Sequence, residues 1–77
     1  MKGIEKKLRG ALRYEVMGVQ PEALLNECAL AGIGFFALET EDAYTLRLCV
    51  PEDEQARFEA LAPACRCELR LLGREGG

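Results

Sequence analysis

An α+β sandwich of βαββαβ order is predicted by three observations. Two-residue apolar alternation recurs over residues 11–17, 44–50 and 67–72. Two stretches with helical apolar spacing, opened by Pro21 and Pro51, lie between the alternating segments. Gly or Pro then punctuates the boundaries, at Gly18, Gly32, Pro63 and Gly73. Strand, helix, strand, strand, helix, strand is the ferredoxin-like order. It implies a two-layer sandwich with a four-stranded antiparallel sheet and two helices on one face.

In the first strand Leu12, Tyr14 and Val16 point one way and Arg13, Glu15 and Met17 the other, so one side is buried. Pro21 suits the first turn of a helix, where its missing N–H costs nothing, and Glu22 complements the helix dipole. Leu24, Leu25, Cys28, Ala29 and Ala31 form the apolar stripe, and Gly32 is a natural left-handed cap. Ile33 to Leu38 reads as the second strand, with Phe35 and Phe36 on opposite sides.

An acidic turn, Glu39 to Asp42, then leads to Tyr44, Leu46, Leu48 and Val50, which alternate with Thr45, Arg47 and Cys49. Pro51 and the acids Glu52, Asp53 and Glu54 open a second helix carrying Phe58, Leu61 and Ala62, and Pro63 stops it. Cys67, Leu69 and Leu71 alternate with Glu68, Arg70 and Leu72 in the last strand. Tyr14, Val16, Leu46, Leu48, Leu69 and Leu71 are expected to fill the space under the helices. Arg13, Glu15, Thr45, Arg47, Glu68 and Arg70 are expected to form a solvated outer face with ion pairs across the strands.

At 77 residues the chain has room for one core. The organisation expected is a basic arm over residues 1–10, the ferredoxin-like domain over 11–73 and a flexible tail over 74–77. The net charge of -3 conceals an asymmetry: Lys2, Lys6, Lys7, Arg9 and Arg13 cluster near the start, while the rest is acidic. We read the arm as a solvated terminus. No run reaches the roughly 18 apolar residues of a membrane span, and no secretory leader opens the sequence.

His, Ser and Trp are absent. Without His or Ser a conventional hydrolytic triad has no members, so no catalytic residues are assigned and no enzyme activity is expected. Cys28, Cys49, Cys65 and Cys67 lack a C-x-x-C pair and fall on different elements, so they read as core or incidental thiols with no metal and no cofactor. Reduced thiols fit a cytoplasmic setting.

Relatives of this architecture fail on named residues. A copper carrier needs cysteines in the first loop, which here holds Val19 and Gln20. An RNA-binding sheet needs outward aromatics where this chain has Glu15, Thr45 and Arg47, so no nucleic-acid partner is expected. An acylphosphatase-like site needs an Arg in that loop, and Asn26 lies mid-helix.

One family does resemble this chain. Leu8-Arg9-Gly10-Ala11-Leu12-Arg13-Tyr14-Glu15-Val16-Met17-Gly18, then Pro21-Glu22 and Leu25-Asn26-Glu27-Cys28, resembles the start of the YqfD family of stage IV sporulation proteins. Ala31-Gly32-Ile33 leading to Phe36, where those proteins often carry Trp, is similar too. So is the close Cys65-Arg66-Cys67-Glu68-Leu69-Arg70-Leu71 followed by Gly73-Arg74-Glu75-Gly76. The resemblance implies an N-terminal domain followed, in the whole protein, by membrane-spanning segments and a larger domain. It implies a place on the cytoplasmic side of a bacterial membrane if the chain is part of a longer one, and in the cytoplasm otherwise. Membrane contact would come only through segments outside this chain.

Two functions are weighed. The first is a non-enzymatic protein-interaction domain that binds a protein partner or another copy through the second strand. That strand is expected at the sheet edge and carries Phe35, Phe36 and Leu38. The alternative is a small-molecule or ion-sensing regulatory module with Val19, Gln20, Gly32 and Gly34 as contact loops.

Overall fold

A computed structural model describes residues 10–75, so the basic arm expected from the sequence lies, apart from Gly10, outside the described residues. Six elements follow in order: β1 (Ala11–Gly18), α1 (Glu22–Ala31), β2 (Phe36–Asp42), β3 (Thr45–Pro51), α2 (Gln55–Leu61) and β4 (Cys67–Glu75). The four strands form one antiparallel sheet in the order β2-β3-β1-β4, the ferredoxin-like arrangement. Leu12, Tyr14 and Val16 of β1 and Leu46, Leu48 and Val50 of β3 pack with Leu24 and Cys28 of α1 and Phe58 of α2. Both helices therefore cover one face of the sheet, and the other face is open.

Gly32 ends α1 at φ 77°, a left-handed conformation that costs a residue with a Cβ about 1 kcal/mol or more. Its N–H donates to the Ala29 carbonyl at 3.2 Å, and the Ile33 N–H donates to the Cys28 carbonyl at 2.9 Å. That closure is a Schellman motif, and it accounts for the first departure from expectation. Ile33 is drawn into the core beside buried Cys28 instead of opening β2. The strand starts only at Phe36 and runs through the acids Glu39, Glu41 and Asp42, whose composition predicts a turn.

The β2–β3 reversal is instead made by Ala43 and Tyr44, with the Tyr44 N–H donating to Asp42 Oδ1 at 2.8 Å. Tyr44 is thus exposed in a turn and does not alternate within β3. The second helix is preceded by a 3-10 turn at Glu52–Glu54, so the acids lie ahead of α2.

β4 also differs. It continues through Arg74 and Glu75, two residues past Gly73, into what the sequence suggests is a tail. Arg74 pairs with Glu52 at 2.8 Å. Leu71, expected in the core, is 51% exposed, and Leu69 is only partly buried. α2 has seven residues and so spans roughly 10 Å, whereas a nine-residue strand spans roughly 30 Å, which leaves the outer margin of β4 uncovered. Ala29, expected on the α1 stripe, is exposed.

Candidate interaction surfaces at the sheet edges

β2 lies at one edge of the sheet, and all seven of its residues are exposed. Phe35, just before it, packs against the core, while Phe36 is 48% and Leu38 is 44% exposed. Phe36 stands opposite Cys49, on the open face. The register then slips by one residue before Glu39 meets Arg47, and Ala37 takes φ 55°. This bulge sets Ala37 and Leu38 together against Leu48, so Phe36 and Leu38 straddle the edge, one toward each face. A second irregularity lies between Thr40 and Asp42. Two bulges and three acids interrupt the regular ladder that plain strand addition would need.

Because β2 buries none of its residues, arginines on neighbouring strands help to tie it down. Arg13 of β1 reaches Glu39 at 3.0 Å, and Arg47 of β3 reaches Glu41 at 2.6 Å and Glu15 at 3.2 Å. Arg70 of β4 meets the same Glu15 at 3.6 Å. The hydrogen bond to Glu41 raises the Arg47 guanidinium above its ordinary range. Solvent screens such surface pairs, so the lattice fixes register more than it adds stability. The expected charged outer face is present, and it extends onto β2.

A second surface has no counterpart in the sequence pattern. Between α2 and β4 runs an open groove of about 420 Å³, lined by Tyr14, Glu59, Ala62, Pro63, Cys67, Leu69 and Leu71. The Tyr14 hydroxyl donates to Glu59 Oε2, while Gln55 Nε2 donates to the Tyr14 oxygen at 3.1 Å. The available signal is that a buried Tyr needs a partner for its hydroxyl, and Gln55 and Glu59 share a helix face at i,i+4.

Burial, followed by the bond to Glu59, pushes the Tyr14 hydroxyl up to about 12. The neutral form is therefore favoured in the folded state. This contribution to stability is fully present below pH 10 and is lost as pH rises from 10 toward 12. Denaturant titrations at pH 9 and pH 11.5 should show the gap between wild type and Tyr14→Phe narrowing at the higher pH. A gap that stays constant would contradict it.

The cysteines divide as their positions require. Cys28 and Cys67 are buried in the core, Cys65 is half-buried in the turn Pro63–Cys65, and Cys49 is fully buried although it faces the charged side. Burial pushes the Cys28 thiol up to about 11 and raises Cys65 and Cys67 as well. A thiol held protonated is a weaker nucleophile and a weaker metal ligand. Among the described residues no group of three or more His, Cys, Asp or Glu is placed to hold a metal.

The contact loops expected from the sequence are not brought together. Val19 and Gln20 precede α1 and Gly32 and Gly34 follow it, so the ten-residue helix separates them by roughly 15 Å. A Cβ built on Gly34 would meet nothing within 4 Å, so no close approach calls for glycine there. No helix among the described residues is long and apolar enough to cross a membrane. No protein-family model, curated protein or solved structure matches the chain.

Proposed function

We propose that this chain is a non-enzymatic protein-interaction domain that grips its partner at the β2 edge, between Phe36 and Leu38. The observation that carries this reading is the division of labour among the aromatic residues before and within β2. Phe35 is spent on the core, whereas Phe36 and the nearby Leu38 remain exposed on the two sides of one edge. A few residues carry most of an interface's energy, and aromatic residues such as Phe36 are enriched among interface residues.

Charge narrows the partner's chemistry. β2 contributes Glu39, Glu41 and Asp42 and no base. Arg13 and Arg47 already engage Glu39 and Glu41, but the three acids outnumber these two arginines, so the fitting partner is an apolar segment flanked by basic residues. The bulges direct recognition to side chains rather than to a continuous backbone ladder. The resemblance to the YqfD family supplies the setting: a domain on the cytoplasmic side of a bacterial membrane, within a sporulation-associated protein whose spans lie elsewhere.

Affinity capture of the partner from cells that express the whole protein tests this reading. Phe36→Ala combined with Leu38→Ala is expected to lower recovery at least tenfold, with the melting temperature held within a few degrees. Undiminished recovery from the double variant sinks the proposal.

A second reading, a ligand-sensing module, is favoured by the groove beside Tyr14 and Glu59, whose volume falls in the range of small-molecule sites. The loops flanking α1 do not support it. Thermal shifts with metals and metabolites would reveal it, since a ligand of the folded state raises the melting temperature by mass action.

A further inference from the structure

We infer that β4, at the edge opposite β2, pairs with β4 of a second copy to join two sheets into one of eight strands. This goes beyond the partner reading above and uses a different surface. β4 is the longest strand, and it is terminal in the sheet, so every second backbone N–H and C=O along it points away from β1. Its register irregularity lies at its far end, opposite Arg13 and Tyr14, so Cys67 to Leu71 form a regular run.

The side chains along that run are self-complementary. In an antiparallel pair related by a two-fold axis at Leu69, Leu69 opposes itself and Cys67 opposes Leu71 of the second copy, twice. These residues pair within the chain with Val16, Gly18 and Tyr14, so they share the helix face. The half-exposed Leu69 and exposed Leu71 would then be covered by their own counterparts.

On the open face the same axis sets Glu68 opposite Arg70 of the second copy, again twice. Among the described residues Glu68 has no ion-pair partner, and Arg70, its side chain 68% exposed, is held only by Glu15 at 3.6 Å. Neighbouring registers fail. With the axis at Glu68, Glu68 opposes itself and Arg70 opposes Arg66; with the axis at Arg70, Arg70 opposes itself. A slip by half a step sets Leu69 against a charged residue and turns each side chain to the wrong face. Apolar fit, charge and face thus agree on one register.

The test is sedimentation equilibrium of the full chain. Wild type is expected to dimerise. Glu68→Arg sets two bases against each other in both pairs and should raise the dimer Kd about tenfold or more, and Arg70→Glu should do the same with acids. Mixing the two variants should restore dimers, because opposite charges then face each other in both pairs. Thermal melts confirm that each single variant is folded.

Wild type that stays monomeric to about 1 mM, a concentration where even a 4 kcal/mol association would show, overturns the pairing and leaves β4 to a different strand. A dimer indifferent to both single variants places the interface elsewhere and overturns it too. Capture through Phe36 is read separately, so either proposal can fail while the other stands.

Discussion

Phe58→Ala is expected to cost about 3–5 kcal/mol of folding free energy and to leave the domain at the margin of stability. Phe58 is fully buried and is the only aromatic that α2 contributes. Its ring lies 4.9 Å from that of Tyr14 at a tilt of 51°, a close tilted contact that adds to the area it buries. α2 is two turns long, too short to form without tertiary packing, so Phe58 is what holds it to the sheet.

A domain of this length has roughly 4–12 kcal/mol in total, at 0.05–0.15 kcal/mol per residue. The loss therefore takes a large part of it and should lower the melting temperature by about 15 °C or more. The groove should be lost with it, because Glu59 and Ala62 lose their positions. A drop of only a few degrees in a thermal melt would contradict the placement of α2.

Leu24→Ala should cost about 2–5 kcal/mol, and it isolates the other helix. Leu24 is fully buried at the centre of the α1 contact, whereas Leu30 on the same helix is 82% exposed. Leu30→Ala is therefore expected to change stability by no more than about 0.5 kcal/mol. Urea denaturation of both variants reads the difference. Equal losses at the two positions would mean that α1 is rotated about its axis from the face described here. Leu25, which packs at the margin of the core, should fall between them.

Much of the fold is legible in the sequence because its central strands are buried on one side only. Leu12, Tyr14 and Val16, and Leu46, Leu48 and Val50, mark the core side because most of their neighbours are the charged or polar Arg13, Glu15, Thr45 and Arg47; buried Cys49 is the exception in β3. Gly32 announces the end of α1 because only a left-handed residue closes that turn. β2 is misplaced for the converse reason. An edge strand that buries nothing carries no apolar period, so Glu39 to Asp42 resembles a turn, and the apolar Ile33 resembles strand when it belongs to a helix cap. Arg66, at φ 57°, performs after Pro63–Cys65 the role of a capping glycine and leaves no sequence signal.

The interaction surfaces are legible in part. The edge position of β2 and the split between Phe35 and Phe36 follow from topology and alternation. The bulge that turns Leu38 to the other side does not, because it depends on Ala37 adopting a conformation no sequence rule assigns to alanine. The groove beside β4 depends on the brevity of α2. Helix length set by a 3-10 turn at each end is a tertiary outcome rather than a pattern. The two edges consequently differ in kind: β2 is irregular, acidic and braced by arginines, while β4 is regular and self-complementary from Cys67 to Leu71.

The claim that binding occurs at the β2 edge is tested most directly by where a photo-reactive side chain captures protein in the cell. Placed at position 36 of the whole protein, it should crosslink a partner heavier than the chain itself. Placed at position 30, on the outer face of α1 where exposure is greater, it should not. Equal capture from both positions, or capture from position 30 alone, would contradict the account.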